Sequence, residues 1–165
     1  GWQPCRQGST PDILPGPWEV RNIAREGKTY MGLITRSDGS WESVGQPLAD
    51  PLEANTCYSF SLYLARSDAY ANYNMPVRLR IWGGTNPREK TLLLAETDAV
   101  DHKEWKKYDF SFTPSKKIVY FILEAYYASG YYFEYNGNIL LDHCSDIQPC
   151  RRAMRWPAGA DLKAF

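Results

Sequence analysis

Apolar and polar side chains alternate with a period of two along most of this chain, whereas the spacing of an amphipathic helix is nearly absent. A period of two puts successive side chains on opposite faces of a β-strand, so one face can be buried while the other meets water. The alternation, together with two denser apolar runs, predicts strands in many places. The predicted strands are residues 29–35, 41–46, 57–65, 77–82, 91–95, 108–112, 118–125 and 139–144.

The stretches between these runs are rich in Gly, Pro, Asn and Ser, as at residues 37–39 and 83–87. Short strands separated by such turns are typical of antiparallel β-sandwiches, so we expect an all-β fold with under about one-tenth helix. Residues 19–150 are predicted to form the sandwich. Residues 1–18 are proline-rich and are predicted to be an irregular segment packed on it, whereas residues 151–165 are interpreted as a tail or linker.

The size and charge of the chain restrict its function. It has 165 residues, 44% of them hydrophobic, and its 19 basic and 19 acidic side chains cancel. This length fits one domain with a core, and zero net charge argues against a nucleic-acid partner. The apolar runs are far shorter than the roughly 20 residues that span a bilayer, so no transmembrane segment is expected. Because the sequence begins at Gly1 without a starting Met, we interpret it as a mature or excised piece.

Four cysteines are present, and no two of them have the close spacing typical of zinc or thioredoxin sites. Disulfides are therefore the favoured interpretation, and they imply an oxidising compartment, so the expected location is secreted, periplasmic or at the cell surface. We expect a Cys57–Cys144 bond, because one residue opens a predicted strand and the other closes one. A Cys5–Cys150 bond is then left as the second pair, because both residues flank the domain.

Several segments of the chain carry motifs that occur in a recognisable order. They are EGKTYMGL (26–33), WESVGQPL (41–48), PLEANTCYSFS (51–61), WKKYDFSFT (105–113) and GNILLDHC (137–144). Their order and spacing resemble the carbohydrate-binding modules of families four and nine, which are jelly rolls of the galactose-binding-like type. The segment GSTPD at residues 8–12 further resembles a subgroup of these modules in surface proteins of Bacteroidetes.

This resemblance implies a non-catalytic module of a secreted or cell-surface protein that binds a glycan or polysaccharide. It also implies a structural calcium ion, because the matching aspartate of the family, here Asp142, commonly helps to hold one. Calcium takes about six to eight oxygen ligands, and Asp12 is an expected partner because the N-terminal segment would run past the last strand. The alternative for Asp142 is a surface or capped carboxylate.

Aromatic and basic side chains are the candidate ligand-binding residues. Sugars present C–H faces that pack on aromatic rings and hydroxyls that need polar partners. Arg78, Arg80 and Trp82 share the polar face of one predicted strand, and Tyr63 lies on the polar face of another. The other candidates are Tyr70, Tyr73, Tyr126, Tyr127, Tyr131 and Tyr132. The same tyrosines also fit a structural role as plugs at the ends of the sandwich, and the arginines also fit cross-strand ion pairs.

Two other functions fit parts of the sequence. The first is a jelly-roll glycosidase or lyase. A glycosidase would need two carboxylates placed on either side of the scissile bond. Residues 96–101 superficially resemble the acid-spaced strand of one jelly-roll hydrolase class. The flanks of that stretch are polar and loop-like, and His102 and His143 come without a serine-nucleophile motif, so no enzymatic activity is expected. A protein–protein interaction or structural module of a cell-envelope assembly stays open, because tyrosine-rich loops on a sandwich also bind proteins.

Overall fold

The computed structural model describes residues 1–151, and β-strands make up almost all of the regular structure there. The strands are β1 (Gln3–Pro4), β2 (Asp12–Leu14), β3 (Tyr30–Thr35), β4 (Ser43–Leu52), β5 (Tyr58–Ala65), β6 (Met75–Gly84), β7 (Leu92–Glu96), β8 (Lys106–Phe112), β9 (Ile118–Tyr127), β10 (Gly137–Asp142) and β11 (Gln148–Pro149). Within this range the one helical element is a 3-10 turn at Pro17–Glu19. No helix among these residues is long and apolar enough to cross a membrane. The expected all-β fold is confirmed.

The strands form two facing layers. Sheet 1 has the strand order β1-β4-β9-β6-β7, and all of its pairs are antiparallel. Sheet 2 has the order β2-β3-β10-β5-β8, also antiparallel, and β11 continues along the edge of β5 that β10 occupies. A short parallel contact between the starts of β10 and β6, where Gly137 pairs with Met75, joins the two sheets at one corner.

The core lies between the sheets and takes every second side chain of the longer strands. Val77, Leu79 and Ile81 of β6 face Leu62 and Leu64 of β5 across this space, and all are fully buried. Burying an aliphatic side chain of this size contributes about 1.5 to 3 kcal/mol relative to leaving it exposed. The alternation therefore fixes which face of β6 points outward.

A second apolar cluster covers the outer face of sheet 2. Ile34, Ala65 and Leu140 point away from the main core and pack against Leu14 and Tyr70. Strands β3 and β10 are thus buried on both faces, which explains why the sequence around β10 is a continuous apolar run. The polar and aromatic side chains of β6 and β9 instead form the outer face of sheet 1.

The N-terminal segment is less irregular than expected, because it adds one strand to each sheet. β1 pairs with β4 at the edge of sheet 1, and β2 pairs with β3 at the edge of sheet 2. The other edges are β8, which begins with Lys106 and Lys107, and β7, whose register against β6 shifts between Ile81 and Trp82. Of the predicted tail, only Arg151 lies within the described residues.

The disulfide pairing expected from the sequence is wrong. Cys57 bonds to Cys150, with Cα atoms 5.3 Å apart, and Cys5 and Cys144 are free thiols. After β10 the chain continues along the same edge of β5, so the Ser145 amide donates to the Ser61 carbonyl, and only Cys150 comes level with Cys57. Cys144 is therefore too early in the chain to reach Cys57.

Candidate functional site

The outer face of sheet 1 gathers polar and aromatic side chains from β6 and β9. Arg78, Arg80 and Trp82 alternate along β6 with buried aliphatic residues, as the sequence pattern predicted. In the register of the two strands, Arg78 lies opposite Tyr126 and Arg80 lies opposite Glu124. We call this surface the aromatic face, and its members are Trp41, Arg78, Arg80, Trp82, Lys90, Glu124 and Tyr126.

Glu124 is the buried centre of the aromatic face and is only 1% exposed. One of its carboxylate oxygens accepts the indole N–H of Trp82 at 3.0 Å. The other accepts the indole N–H of Trp41 at 2.9 Å and forms an ion pair with Lys90. A buried carboxylate is costly unless hydrogen-bond donors compensate it, and here three donors do so. Both tryptophans are consequently held in fixed orientations by one anion.

The rings of the aromatic face also hold one another. Trp41 packs edge-on against Tyr126, with ring centroids 5.0 Å apart. The guanidinium of Arg80 lies 3.6 Å from the centroid of Tyr126, and that of Arg6 lies 4.1 Å from the centroid of Trp41. Edge-on ring pairs and cation–π contacts are both attractive. The result is a preorganised surface on which flat rings alternate with hydrogen-bond donors.

A cleft of about 290 Å³ lies at one end of this face and is lined by Arg78, Ser129 and residues 96–99. Glu96 Oε2 is 3.3 Å from both Arg78 Nη1 and Arg80 Nε, so the cross-strand ion pairs considered for these arginines do form. Each guanidinium has several N–H donors, and one carboxylate cannot satisfy both groups. Among residues 1–151, the Nε of Arg78 is buried and has no hydrogen-bond partner, so a ligand from outside does not reach it. The donors at this end are the N–H groups of the two partly exposed guanidiniums that Glu96 does not accept.

The loop after β9 stands beside the cleft. Tyr132 and Phe133 project into solvent, being 96% and 84% exposed, and Tyr131 packs on Tyr135 with ring centroids 4.5 Å apart. The loop is close to the cleft because Ser129, which follows β9, accepts a hydrogen bond from Arg78. Tyr131 and Tyr132 are thus accessible at one end of the aromatic face.

Three tyrosines that the sequence suggested as ligand contacts have structural partners. Tyr70 is 1% exposed and donates its hydroxyl to Asp12, and burial together with this contact raises the pKa of Tyr70 far above its usual value. Tyr73 packs against the same outer cluster of sheet 2. Tyr127 donates to the carbonyl oxygens of the β3–β4 turn, and burial raises its pKa as well. For these residues the alternative role as structural plugs fits better.

Tyr63, a further candidate ligand-binding residue, lies on the opposite sheet from Arg78 and Arg80, so the structure does not bring it together with them. It belongs to β5 and lies opposite Lys107 of β8. The guanidinium of Arg25 lies 4.6 Å from its ring centroid. A period of two assigns a side chain to one face of its own strand, but it does not say which sheet that strand joins.

Three central members of the aromatic face, Trp41, Lys90 and Glu124, were not predicted as site residues. Glu124 is a lone acid inside the apolar strand β9. A carboxylate in such a run needs compensation by a metal or by hydrogen bonds, so this signal could have found Glu124. Trp41 and Lys90 carry no comparable signal, because only the register of sheet 1 brings them to Glu124.

The two aspartates expected to share a calcium ion do not fit a common site. Asp142 Oδ2 accepts the backbone amides of Arg25 and Glu26 at 2.7 and 3.1 Å, and Oδ1 accepts the amide of His143. Asp12 accepts the hydroxyl of Tyr70, and its strand β2 lies on the far side of β3 from β10. Within residues 1–151 no group of three or more His, Cys, Asp or Glu is placed to hold a metal. Asp142 acts as a cap for backbone amides.

Calcium binding by this chain therefore stays a prediction, without the ligand pair first expected. A bound ion stabilises the native state by RT ln(1 + [L]/Kd), about 2.7 kcal/mol at a hundredfold excess over Kd. If an ion is present, melting in a calcium chelator will give a lower midpoint than melting in added calcium. Superimposable melting curves in the two buffers would show that calcium has no structural role.

Comparisons with known proteins identify the fold. No protein-family model matches the sequence, and no curated protein matches it. Among solved structures, the CBM22-1 xylan-binding domain of Paenibacillus barcinonensis Xyn10C is similar at a TM-score of 0.60 and 18% identity, covering 93% of this chain and 88% of that one. The CBM22-1 and GH10 modules of Clostridium thermocellum xylanase 10B, complexed with xylohexaose, give 0.57 and 14%, covering 93% of this chain and 27% of that one.

A structure of a family 4 carbohydrate-binding module is similar at a TM-score of 0.51 and 14% identity, covering 90% of this chain and 86% of that one. These identities are low, so the likeness concerns the arrangement of the strands. The jelly roll expected from the motif order is confirmed. This chain has the jelly-roll fold of the carbohydrate-binding modules of families 22 and 4.

Proposed function

We propose that this chain is a non-catalytic carbohydrate-binding module whose aromatic face binds a polysaccharide. The observation that carries the proposal is the pair Trp41 and Trp82, held by the buried carboxylate of Glu124 in the middle of a sheet face. Rings that are already fixed lose little rotamer freedom when a sugar stacks on them. The similar structures include a xylan-binding domain and a xylanase module complexed with xylohexaose, which supports a polysaccharide as the ligand.

The proposed module binds its polysaccharide without hydrolysing it. Glycoside hydrolysis needs two carboxyl groups that are free to act on the scissile bond. On the aromatic face, Glu124 is buried and both of its oxygens accept hydrogen bonds, while Glu96 is engaged by Arg78 and Arg80.

We also propose a secreted or cell-surface location, which the Cys57–Cys150 disulfide supports, because such bonds persist in oxidising compartments.

Replacement of Trp82 by alanine tests the binding face. We expect the affinity for xylan or another polysaccharide ligand to fall at least tenfold, about 1.4 kcal/mol, because the variant loses a stacking ring. Calorimetry or affinity electrophoresis measures the loss, and Trp82→Phe should retain part of the affinity. Tyr63→Ala is the matched control, because it removes an aromatic ring from the outer face of the opposite sheet. Equal affinity of Trp82→Ala and the parent chain would refute the assignment of this face.

A protein-interaction module is the second candidate, and the exposed loop side chains Tyr132 and Phe133 favour it. Neighbouring exposed aromatic residues on a rigid sandwich are a common protein contact. The tryptophan variant separates the two candidates. A protein partner held by this loop would bind Trp82→Ala as well as it binds the parent chain, whereas a polysaccharide on the aromatic face would not.

A further inference from the structure

The aromatic face carries more positive than negative charge, although the chain as a whole has 19 basic and 19 acidic residues. Arg78, Arg80 and Lys90 lie on the face itself, and Arg6 covers the ring of Trp41. Arg88 lies at the same end as Arg6, since it donates to Gln3 of the neighbouring β1 at 3.2 Å. We call these five cations the basic strip.

The acids near the basic strip already have partners. Glu124 is occupied by Lys90 and the two indoles. Glu96 serves both Arg78 and Arg80 at 3.3 Å. Among residues 1–151, neither Arg6 nor Arg88 forms an ion pair with a carboxylate. The surplus of positive charge therefore lies at the Arg6 and Arg88 end, away from the cleft beside Glu96.

On the basis of the proposed function, we propose that the ligand is an acidic polysaccharide that bears uronic acid carboxylates. An arginine guanidinium matches a carboxylate in shape and binds it through paired, charge-assisted hydrogen bonds. A uronic acid also keeps the C–H face of a sugar ring, so one residue of the polymer can stack on the Trp82 indole, which Arg6 does not cover, while its carboxylate contacts Arg6 or Arg88. A neutral sugar would use the rings and leave these cations without an anionic partner.

The test compares matched polymers on the intact chain. Glucuronic-acid-substituted xylan, polygalacturonate and alginate are each measured against the same polymer after chemical reduction of its carboxylates to alcohols. We expect at least one acidic polymer to bind about fivefold or more tightly than its reduced form. This preference should shrink as sodium chloride rises from about 50 to 500 mM, because the contacts at Arg6 and Arg88 are exposed to solvent.

Substitutions show which residues produce the preference for the acidic polymer. Arg6→Gln with Arg88→Gln should abolish the preference for the acidic polymer, because the affinity for that polymer falls more than the affinity for its reduced form. Arg21→Gln with Lys116→Gln removes the same charge from exposed positions outside the basic strip and should leave the preference intact. If that control double variant loses the preference equally, long-range net charge explains it and the inference is overturned.

Two further outcomes show whether the inference alone fails or whether the proposed function fails with it. Equal binding of acidic and reduced polymers, still sensitive to Trp82→Ala, would overturn the inference and leave the proposed function standing. Failure of every polymer to bind would overturn both. Dextran sulfate is included as well, because affinity for it equal to that for the best uronate polymer would show simple anion attraction and would also overturn the inference.

Discussion

The Glu124→Ala variant is expected to lose about 2 to 4 kcal/mol of unfolding free energy and to lose polysaccharide binding as well. Removing this carboxylate takes away the acceptor of two indole N–H groups and the partner of Lys90 in one step. The ammonium of Lys90 is partly exposed and can recover some hydration, which keeps the expected loss below that of a fully buried broken pair. The tryptophans would no longer be held in one orientation, so binding should suffer more than stability.

Urea unfolding followed by tryptophan fluorescence measures the stability change, and calorimetry measures binding. Glu124→Gln should fall between the parent chain and the alanine variant, because the amide oxygen still accepts one indole N–H. Glu96→Ala is the control for an acid on the same face, since its side chain is 40% exposed and its loss should cost under about 1 kcal/mol. A Glu124→Ala variant as stable as the control would mean that the buried carboxylate does not organise the face.

Removing the disulfide is expected to have an effect of similar or larger size. The Cys57–Cys150 bond spans 93 positions of the chain, and for a loop of this length the chain-entropy estimate of stabilisation is about 4 to 5 kcal/mol. The bond also fixes Cys150, which follows β11, to the residue before β5. The double variant Cys57→Ser with Cys150→Ser should therefore unfold at a much lower urea concentration than the parent chain.

The free cysteines provide the control for this experiment. Cys5→Ser with Cys144→Ser removes the two free thiols and should change stability by under about 1 kcal/mol. Thiol titration of the unfolded, unreduced parent chain should find two reactive groups, and peptide mapping should recover a Cys57–Cys150 peptide. A Cys57–Cys144 peptide would contradict the structure and return the pairing to the one expected from the sequence.

The strands could be predicted because their signal is local. β6 shows the principle: its core residues are every second residue, so the outward positions of Arg78, Arg80 and Trp82 followed from the sequence alone. β1, β2 and β11 were missed because strands of two or three residues are too short for alternation to appear.

The parts that the sequence could not predict depend on pairing between distant strands. Tyr63 and Trp82 both lie on polar faces, but their strands belong to different sheets. The cysteine pairing likewise depends on where the chain runs after β10, which no local pattern encodes. Glu124 is an intermediate case. The sequence shows that it is a lone acid among apolar residues, but it does not show that Trp41 and Lys90 contact it.

The edges of the two sheets affect whether copies of the molecule that bind one polymer also pair with each other. An exposed sheet edge is a template on which a second chain can add a strand. Here β1 has two residues including Pro4, β2 has three, β8 begins with two lysines, and β7 follows a shifted register. Short, charged and bulged edges all disfavour strand addition. Copies bound side by side on one polysaccharide should therefore stay separate molecules, and the length of polymer that each one occupies will limit how many can bind.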